Sequence, residues 1–203
     1  FRPQRSALMQ LADSSVTLDE LVEYKHSTRM ALADRILPDL LAAARAGVDC
    51  VHAGAVGTGP NGDLVRGALA AEGVTLSAPP VADLDTGVCV VLVEPTAERT
   101  FVTTQGAERQ ITVQSLAASN PVPGDLVCVS GYSLVGRTRD PLVEWLDTLA
   151  DGVVVVLDPG ATFAGLAEPL RDRVLARTDV WTGNADEAAA LTGVRGMREA
   201  AEV

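Results

Sequence analysis

The chain contains 203 residues, of which 47% are hydrophobic and only 3% aromatic, so it can bury a sizeable core of Ala, Val and Leu. Its formal net charge of −11 argues against a nucleic-acid backbone or an anionic membrane surface as partner. No apolar run reaches the roughly 18 residues of a membrane span, and the first residues lack a signal-peptide core, so we expect a cytoplasmic protein of one or two domains.

Apolar spacing predicts helices that alternate with strands along the chain. Residues 29–46 have helical spacing interrupted by Pro38, residues 48–55 are typical of a strand, and residues 62–72 again have helical spacing. The second half predicts a short helix, a buried strand, a helix, the clearest strand and a last helix, at residues 113–119, 125–130, 140–150, 153–157 and 166–176. This alternation indicates an α/β fold with a mainly parallel sheet, in which 125–130 and 153–157 are neighbouring parallel strands.

One region breaks the alternation. Residues 87–93 and 99–105 are two strand-like runs joined by a short polar stretch, which predicts an antiparallel hairpin. A two-stranded piece is marginally stable alone and needs a partner surface. We therefore expect the hairpin to cover a cleft or to pair with a second subunit.

Three cysteines, Cys50, Cys89 and Cys128, each lie in an apolar strand-like run. An odd number without paired spacing is neither a disulfide framework nor a metal site. Because a reduced thiol in such a run behaves as a small apolar side chain, we expect Cys128 to be buried and unpaired.

Small residues follow most of the predicted strands, at residues 54–57, 130–132, 158–160 and 183–184. In parallel sheets ligands bind beyond the carboxyl ends of the strands, and glycine lets the backbone approach a ligand closely. Any one of these loops can also be a simple tight turn. Their recurrence at several strand ends favours a binding cleft.

The last apolar strand runs directly into a helix at Asn184. Asn is a favoured N-cap, and Glu187 stands at the third helical position, where an acidic side chain can accept from the first-turn amides. Two interpretations stay open. The pair caps a surface helix, or it lies at a helix N-terminus that holds phosphate and hydrated magnesium.

Four blocks in this order resemble the ribokinase-like (PfkB-type) sugar kinases. They are residues 42–57 with Asn61-Gly62-Asp63, residues 86–93 with 98–108, residues 127–132, and residues 153–158 leading to the Asn-x-x-Glu of Asn184 and Glu187. The resemblance covers roughly residues 40–195. It implies a three-layer α/β/α ribokinase-like fold, here a single incomplete domain over residues 1–203, with a β-lid at about 76–106.

The resemblance also implies an activity, the ATP-dependent phosphorylation of a sugar hydroxyl with ATP and Mg²⁺ as cofactors. Asn184 and Glu187 then position magnesium and phosphate, with Glu187 acting on the metal through water. Residues that would contact the substrate are Gly57, Arg99, Gly106, Ser130, Gly131 and Asp158. The partner is a small sugar or sugar-like molecule, and the lid offers a surface for a homodimer.

The family pattern is incomplete at both ends of this sequence. Pro38 stands where the Asn of an N-terminal Gly-Gly-x-x-x-Asn block is expected, and residues 1–38 form an atypical segment without glycine. The Gly-Ala-Gly-Asp block that carries the catalytic base should lie beyond Val203. We therefore identify no catalytic base in the chain and expect these 203 residues alone to be inactive.

Two alternatives come from other functional classes. A non-catalytic relative could keep the fold and the lid for binding or dimerisation. A nucleotide- or dinucleotide-binding α/β domain outside the family is disfavoured, because no Gly-x-Gly-x-x-Gly follows a strand and no P-loop is present.

Overall fold

A computed structural model of the chain describes residues 36–93, 99–195 and 197–200. The chain divides into two compact units. Unit 1 lies within Phe1–Cys50, Val56–Thr75 and Pro79–Glu108, and unit 2 within Val51–Ala55, Leu76–Ala78 and Arg109–Val203. The expectation of one incomplete domain stays a prediction.

Helices and strands alternate along the chain, as the sequence predicts. The helices are α1 (Ile36–Arg45), α2 (Pro60–Ala71), α3 (Val113–Ala117), α4 (Arg139–Leu146), α5 (Glu168–Leu175), α6 (Ala185–Thr192) and α7 (Met197–Ala200). The strands are β1 (Val51–His52), β2 (Thr75–Leu76), β3 (Cys89–Val93), β4 (Arg99–Thr103), β5 (Leu126–Ser130), β6 (Val154–Asp158) and β7 (Val180–Trp181). Residues 29–35 of the predicted first helix lie outside the described ranges. Among the helices described, none is long and apolar enough to cross a membrane.

Unit 1 contains α1, α2 and the predicted hairpin. Strands β3 and β4 pair antiparallel, with Cys89 opposite Thr103 and Val93 opposite Arg99, which confirms the hairpin. The joining residues 94–98 lie outside the described part of the chain. Arg45 at the end of α1 and Glu72 at the end of α2 form an ion pair of 2.5 Å, which ties the two helix ends together.

Unit 2 is built on a three-stranded sheet in the order β5-β6-β7. Strands β5 and β6 are parallel neighbours, which confirms the prediction, and β6 and β7 are also parallel. One face of this sheet, with Val129, Val155 and Leu157, packs on a core that α4 covers with its apolar side. The buried residues of α4 are Leu142, Val143, Trp145 and Leu146. Each large apolar side chain buried there stabilises the unit by about 1.5–3 kcal/mol.

The other face of this sheet is open within the described part of the chain. Leu126 is 68% exposed and Val180 44% exposed, and Cys128, two residues after Leu126 on the same face of β5, is exposed as well. The expectation that Cys128 is buried is therefore wrong. Strand β5 lies at the edge of the described sheet, and its apolar run gave no information on whether a second layer covers each face.

Candidate functional site

The predicted site residues of unit 2 meet at the carboxyl ends of β5 and β6. Ser130 and Asp158 are directly opposite each other in the strand register. Gly131 follows Ser130 and lies so close to the next loop that a Cβ would stand 1.9 Å from the carbonyl oxygen of Pro159. Only glycine allows this approach. The structure therefore brings Ser130, Gly131 and Asp158 together, as the sequence led us to expect.

Hydrogen bonds fix the shape of these two strand exits. The Ser130 hydroxyl is buried and accepts from the Tyr132 amide at 3.4 Å, while the Asp158 carboxylate accepts from the Gly160 amide at 3.2 Å. The Thr162 hydroxyl donates to the Gly131 carbonyl at 3.3 Å and joins the two loops. These hydrogen bonds hold together the turns that follow β5 and β6, in which Gly131 and Gly160 leave space beside the backbone for close neighbours.

Tyr132 lies at the same strand exit and was not among the predicted site residues. Its ring lies against Gly160, where an added Cβ would stand 2.7 Å from the ring atom Cε2, and the side chain is 39% exposed. The available signal was an aromatic residue directly after a strand-exit glycine in a chain with only 3% aromatics. An exposed ring beside two glycines offers a flat surface to a ligand.

Asn184 and Glu187 form a capping box at the start of α6. The Asn184 side chain accepts from the Glu187 amide at 2.9 Å, and the Glu187 carboxylate accepts from the Asn184 amide at 2.9 Å. Both side chains therefore satisfy main-chain donors of the first turn. The capping interpretation is confirmed, and a role with phosphate and magnesium stays a prediction.

Unit 1 brings two further predicted residues, Gly57 and Gly106, against one segment. A Cβ on Gly57 would stand 2.3 Å from the Leu84 carbonyl oxygen, and a Cβ on Gly106 would stand 2.3 Å from that of Asp85. Both glycines are thus required for close packing of the chain before the hairpin. The backbone of Arg99 lies in β4, and its side chain is outside the described part of the structure.

Asp85 organises the same segment and was not predicted. Its carboxylate accepts from the amides of Asn61 at 3.2 Å and Gly62 at 2.9 Å, in the first turn of α2. It also accepts from the Thr86 amide at 2.8 Å. Because the residue before α2 is Gly59, which supplies no side-chain cap, Asp85 caps this helix from 23 or more positions along the chain. Local sequence patterns carry no such signal.

Charge at the site comes from separate carboxylates. Within the described residues, no three His, Cys, Asp or Glu side chains converge in a way that could hold a metal ion. Hydrated Mg²⁺ needs only one or two protein carboxylates beside substrate phosphates, so a metal-holding role of Glu187 through water stays a prediction. At two helix ends away from these residues, hydrogen bonds from Arg45 and Arg139 lower the pKa of Glu72 and Asp140.

A family model and a curated relative both match this chain, and the two matches agree with each other. Residues 40–203 match the pfkB family of carbohydrate kinases. An uncharacterized sugar kinase, YegV, of Escherichia coli (strain K12) is 35% identical over 144 residues, which cover 71% of this chain and 44% of YegV. The chain thus spans less than half the length of this curated relative.

Solved structures show the same fold at lower identity. Anopheles gambiae adenosine kinase in complex with P1,P4-di(adenosine-5) tetraphosphate is 21% identical with a TM-score of 0.67, over 79% of this chain and 51% of that one. Vibrio cholerae O395 fructokinase with fructose, ADP and calcium bound is 22% identical with a TM-score of 0.62, over 80% and 56%. The fold is ribokinase-like, and the chain belongs to the pfkB family of carbohydrate kinases.

Proposed function

We propose that the protein to which this chain belongs is an ATP-dependent kinase that phosphorylates a hydroxyl of a small sugar or sugar-like molecule. The family match over residues 40–203 carries this proposal. The relative YegV is named as a sugar kinase, and the fructokinase of similar fold binds fructose and ADP. The small residues at the ends of β5 and β6 support a cleft there.

Asn184 and Glu187 are the proposed holders of the nucleotide phosphates and Mg²⁺. The first turn of α6 presents main-chain N–H groups and the positive end of the helix dipole, which favour an anion. When bound, the metal would neutralise phosphate charge. Glu187 would hold it through water, beside the capping hydrogen bond that its carboxylate accepts from the Asn184 amide.

Each unit has its own proposed sugar contacts. Ser130, Gly131 and Asp158 supply a hydroxyl, close backbone access and a carboxylate in unit 2. In unit 1, Gly57 and Gly106 pack closely against Leu84 and Asp85, the segment just before the hairpin, and are the proposed contacts there. Arg99 stays a proposed contact for an anionic group.

The catalytic base and the adenine pocket are proposed to lie in further parts of the whole protein. The chain spans 44% of YegV and 51% of the adenosine kinase, so much of such an enzyme has no counterpart here. The open sheet face at Leu126 and Val180 supports this proposal, because parallel sheets are usually covered on both faces. On this basis the 203-residue chain alone is inactive.

One observation favours the second candidate, a non-catalytic binding or dimerisation protein. Val90 and Val102 are opposite each other in the hairpin and are 37% and 56% exposed. An apolar pair on one face of a two-stranded sheet suits a homodimer through the lid. Dimerisation is compatible with the kinase as well, so only an activity measurement separates the two functions.

The test is an assay of the full-length protein with ATP, Mg²⁺ and a panel of hexoses, pentoses and nucleosides, together with Glu187→Gln. Gln at this position keeps the capping box but removes the negative charge. We expect sugar-dependent ADP release that falls by at least about tenfold in Glu187→Gln, the low end for a residue that acts on a bound metal indirectly. Asp186→Asn, an exposed neighbour in the same turn, is the control and should stay near wild type. If Glu187→Gln keeps wild-type activity, Asn184 and Glu187 serve only as a helix cap.

A further inference from the structure

The two strands of the β3–β4 hairpin are joined at their root by the side chains of Thr104 and Glu108. The Thr104 amide donates to the Val88 carbonyl at 2.8 Å, which continues the antiparallel ladder past β3 and β4. Beside this pair, the main-chain amides of Gly87 and Gly106 donate to the carboxylate of Glu108 instead of to the opposite strand. The Gly87 amide donates to Oε2 of Glu108 and the Gly106 amide to Oε1, each at 2.7 Å.

Glu108 is itself rigidly placed in unit 1. It lies in the short 3₁₀ turn Ala107–Arg109, where Ala107 is fully buried and donates from its amide to the Asp85 carbonyl at 2.9 Å. Hydrogen bonds to a charged acceptor are about twice as strong as neutral ones. Glu108 therefore holds both roots of the hairpin from one fixed point.

Each root of the hairpin also has an anchor of its own in unit 1. On the incoming side, Thr86 accepts through its hydroxyl from the Gly57 amide at 3.0 Å and through its carbonyl from the Asn61 side chain at 3.1 Å. On the outgoing side, the Ala107 amide donates to the Asp85 carbonyl at 2.9 Å. The loss of Glu108 would thus leave both anchors in place and remove the link between Gly87 and Gly106.

From this geometry we propose that Glu108 is a positioning residue that fixes the β3–β4 hairpin on unit 1, and that sugar binding requires the hairpin to be fixed there. The proposal rests on the proposed kinase function, in which the hairpin is the lid that the family resemblance implies. Glu108 touches neither substrate nor nucleotide in this role. Its effect should appear in substrate binding more than in the chemical step.

The experiment uses the full-length protein with Glu108→Gln and Glu108→Asp. Gln replaces one acceptor oxygen by a donor, so it cannot accept from both amides, and Asp keeps the charge but is one methylene too short to reach both. Glu168→Gln, an exposed glutamate at the start of α5, is the matched control. The first readout is amide hydrogen exchange of residues 87–93 and 99–106, with residues 126–130 and 154–158 as internal reference.

We expect hairpin exchange to rise about tenfold in both Glu108 variants, the size of one charge-assisted hydrogen bond, with the reference strands unchanged. In the same variants KM for the sugar should rise by about tenfold while kcat changes less than about threefold. Unchanged hairpin exchange in variants that fold overturns the proposal. Faster exchange without a change in KM overturns the positioning role and leaves a structural brace.

Failure of the proposed function gives a different pattern. If the wild-type full-length protein phosphorylates no sugar, the kinase proposal fails, and the role in sugar binding falls with it. Hydrogen exchange still decides whether Glu108 holds the hairpin. Another outcome is that unit 1 unfolds as a whole in both variants. If it unfolds well below the wild-type midpoint, a role of Glu108 that is confined to the hairpin is contradicted.

Discussion

Gly131→Ala tests the close approach of the β5 and β6 exits most sharply. An added Cβ would stand 1.9 Å from the Pro159 carbonyl oxygen, whereas ordinary contacts begin near 3.4 Å. The Cβ is attached directly to the backbone of residue 131 and the oxygen belongs to the main chain of Pro159, so no flexible side chain can move to relieve the contact. The two loops must separate by roughly 1.5 Å, which also strains the hydrogen bond from Thr162 to the Gly131 carbonyl.

The magnitude follows from these two losses. Overpacking of this kind costs about 1–3 kcal/mol, and loss of the hydrogen bond costs about 1 kcal/mol more. We therefore expect Gly131→Ala to lower the free energy of unfolding by about 2–4 kcal/mol, or the unfolding midpoint by roughly 4–16 °C, in the full-length protein.

The assay is thermal unfolding followed by circular dichroism, with Gly165→Ala as the control. Gly165 lies in the same unit, has nothing within 4 Å of an added Cβ and does not have a positive φ, so this change should stay within about 0.5 kcal/mol of wild type. Equal midpoints for the two variants would refute the argument that the strand exits are in contact.

Three further predictions concern unit 1 and the hairpin. Gly67→Ala, at an exposed position inside α2 with nothing within 4 Å of the new methyl, should raise stability by about 0.5–1 kcal/mol in denaturant unfolding. Glu72→Gln should destabilise at neutral pH, since Arg45 lowers the pKa of the folded carboxyl, and the gap to wild type should close as pH falls below the ordinary value of 4.5. A gap that is constant over pH 3–7 would contradict that ion pair. Val102→Lys should shift any dimer toward monomer in sedimentation, and an unchanged dimer would exclude the hairpin face as the interface.

The elements that sequence predicted are those encoded by neighbours along the chain. The aliphatic runs of β5 and β6 identified two neighbouring parallel strands, and two strand-like runs around a short polar stretch identified the hairpin. The Asn184 and Glu187 spacing identified a helix cap, because both partners lie within one turn. In each case the interaction that forms the element is local, or it follows from the regular spacing of apolar residues alone.

The features that sequence missed depend on residues far apart. Asp85 caps α2 through Asn61, 24 positions away, and Glu108 holds Gly87 of the hairpin, 21 positions away. The spacing of apolar residues along the chain gives no information on contacts at such a distance. Cys128 was expected inside because its run is apolar, yet burial depends on a second layer over the sheet. The predicted strand 48–55 shortened to Val51–His52 for a related reason, since only those residues find ladder partners among the described strands.

The central proposal is that the protein to which this chain belongs is a sugar kinase whose catalytic base lies outside these 203 residues. The most direct measurement is transfer of label from γ-labelled ATP to the sugar panel, made in parallel on the full-length protein and on the 203-residue chain. Labelled sugar phosphate from the full-length protein, with none from the 203-residue chain, is the predicted result. Labelled product from the 203-residue chain itself would contradict the account and place a base among these residues.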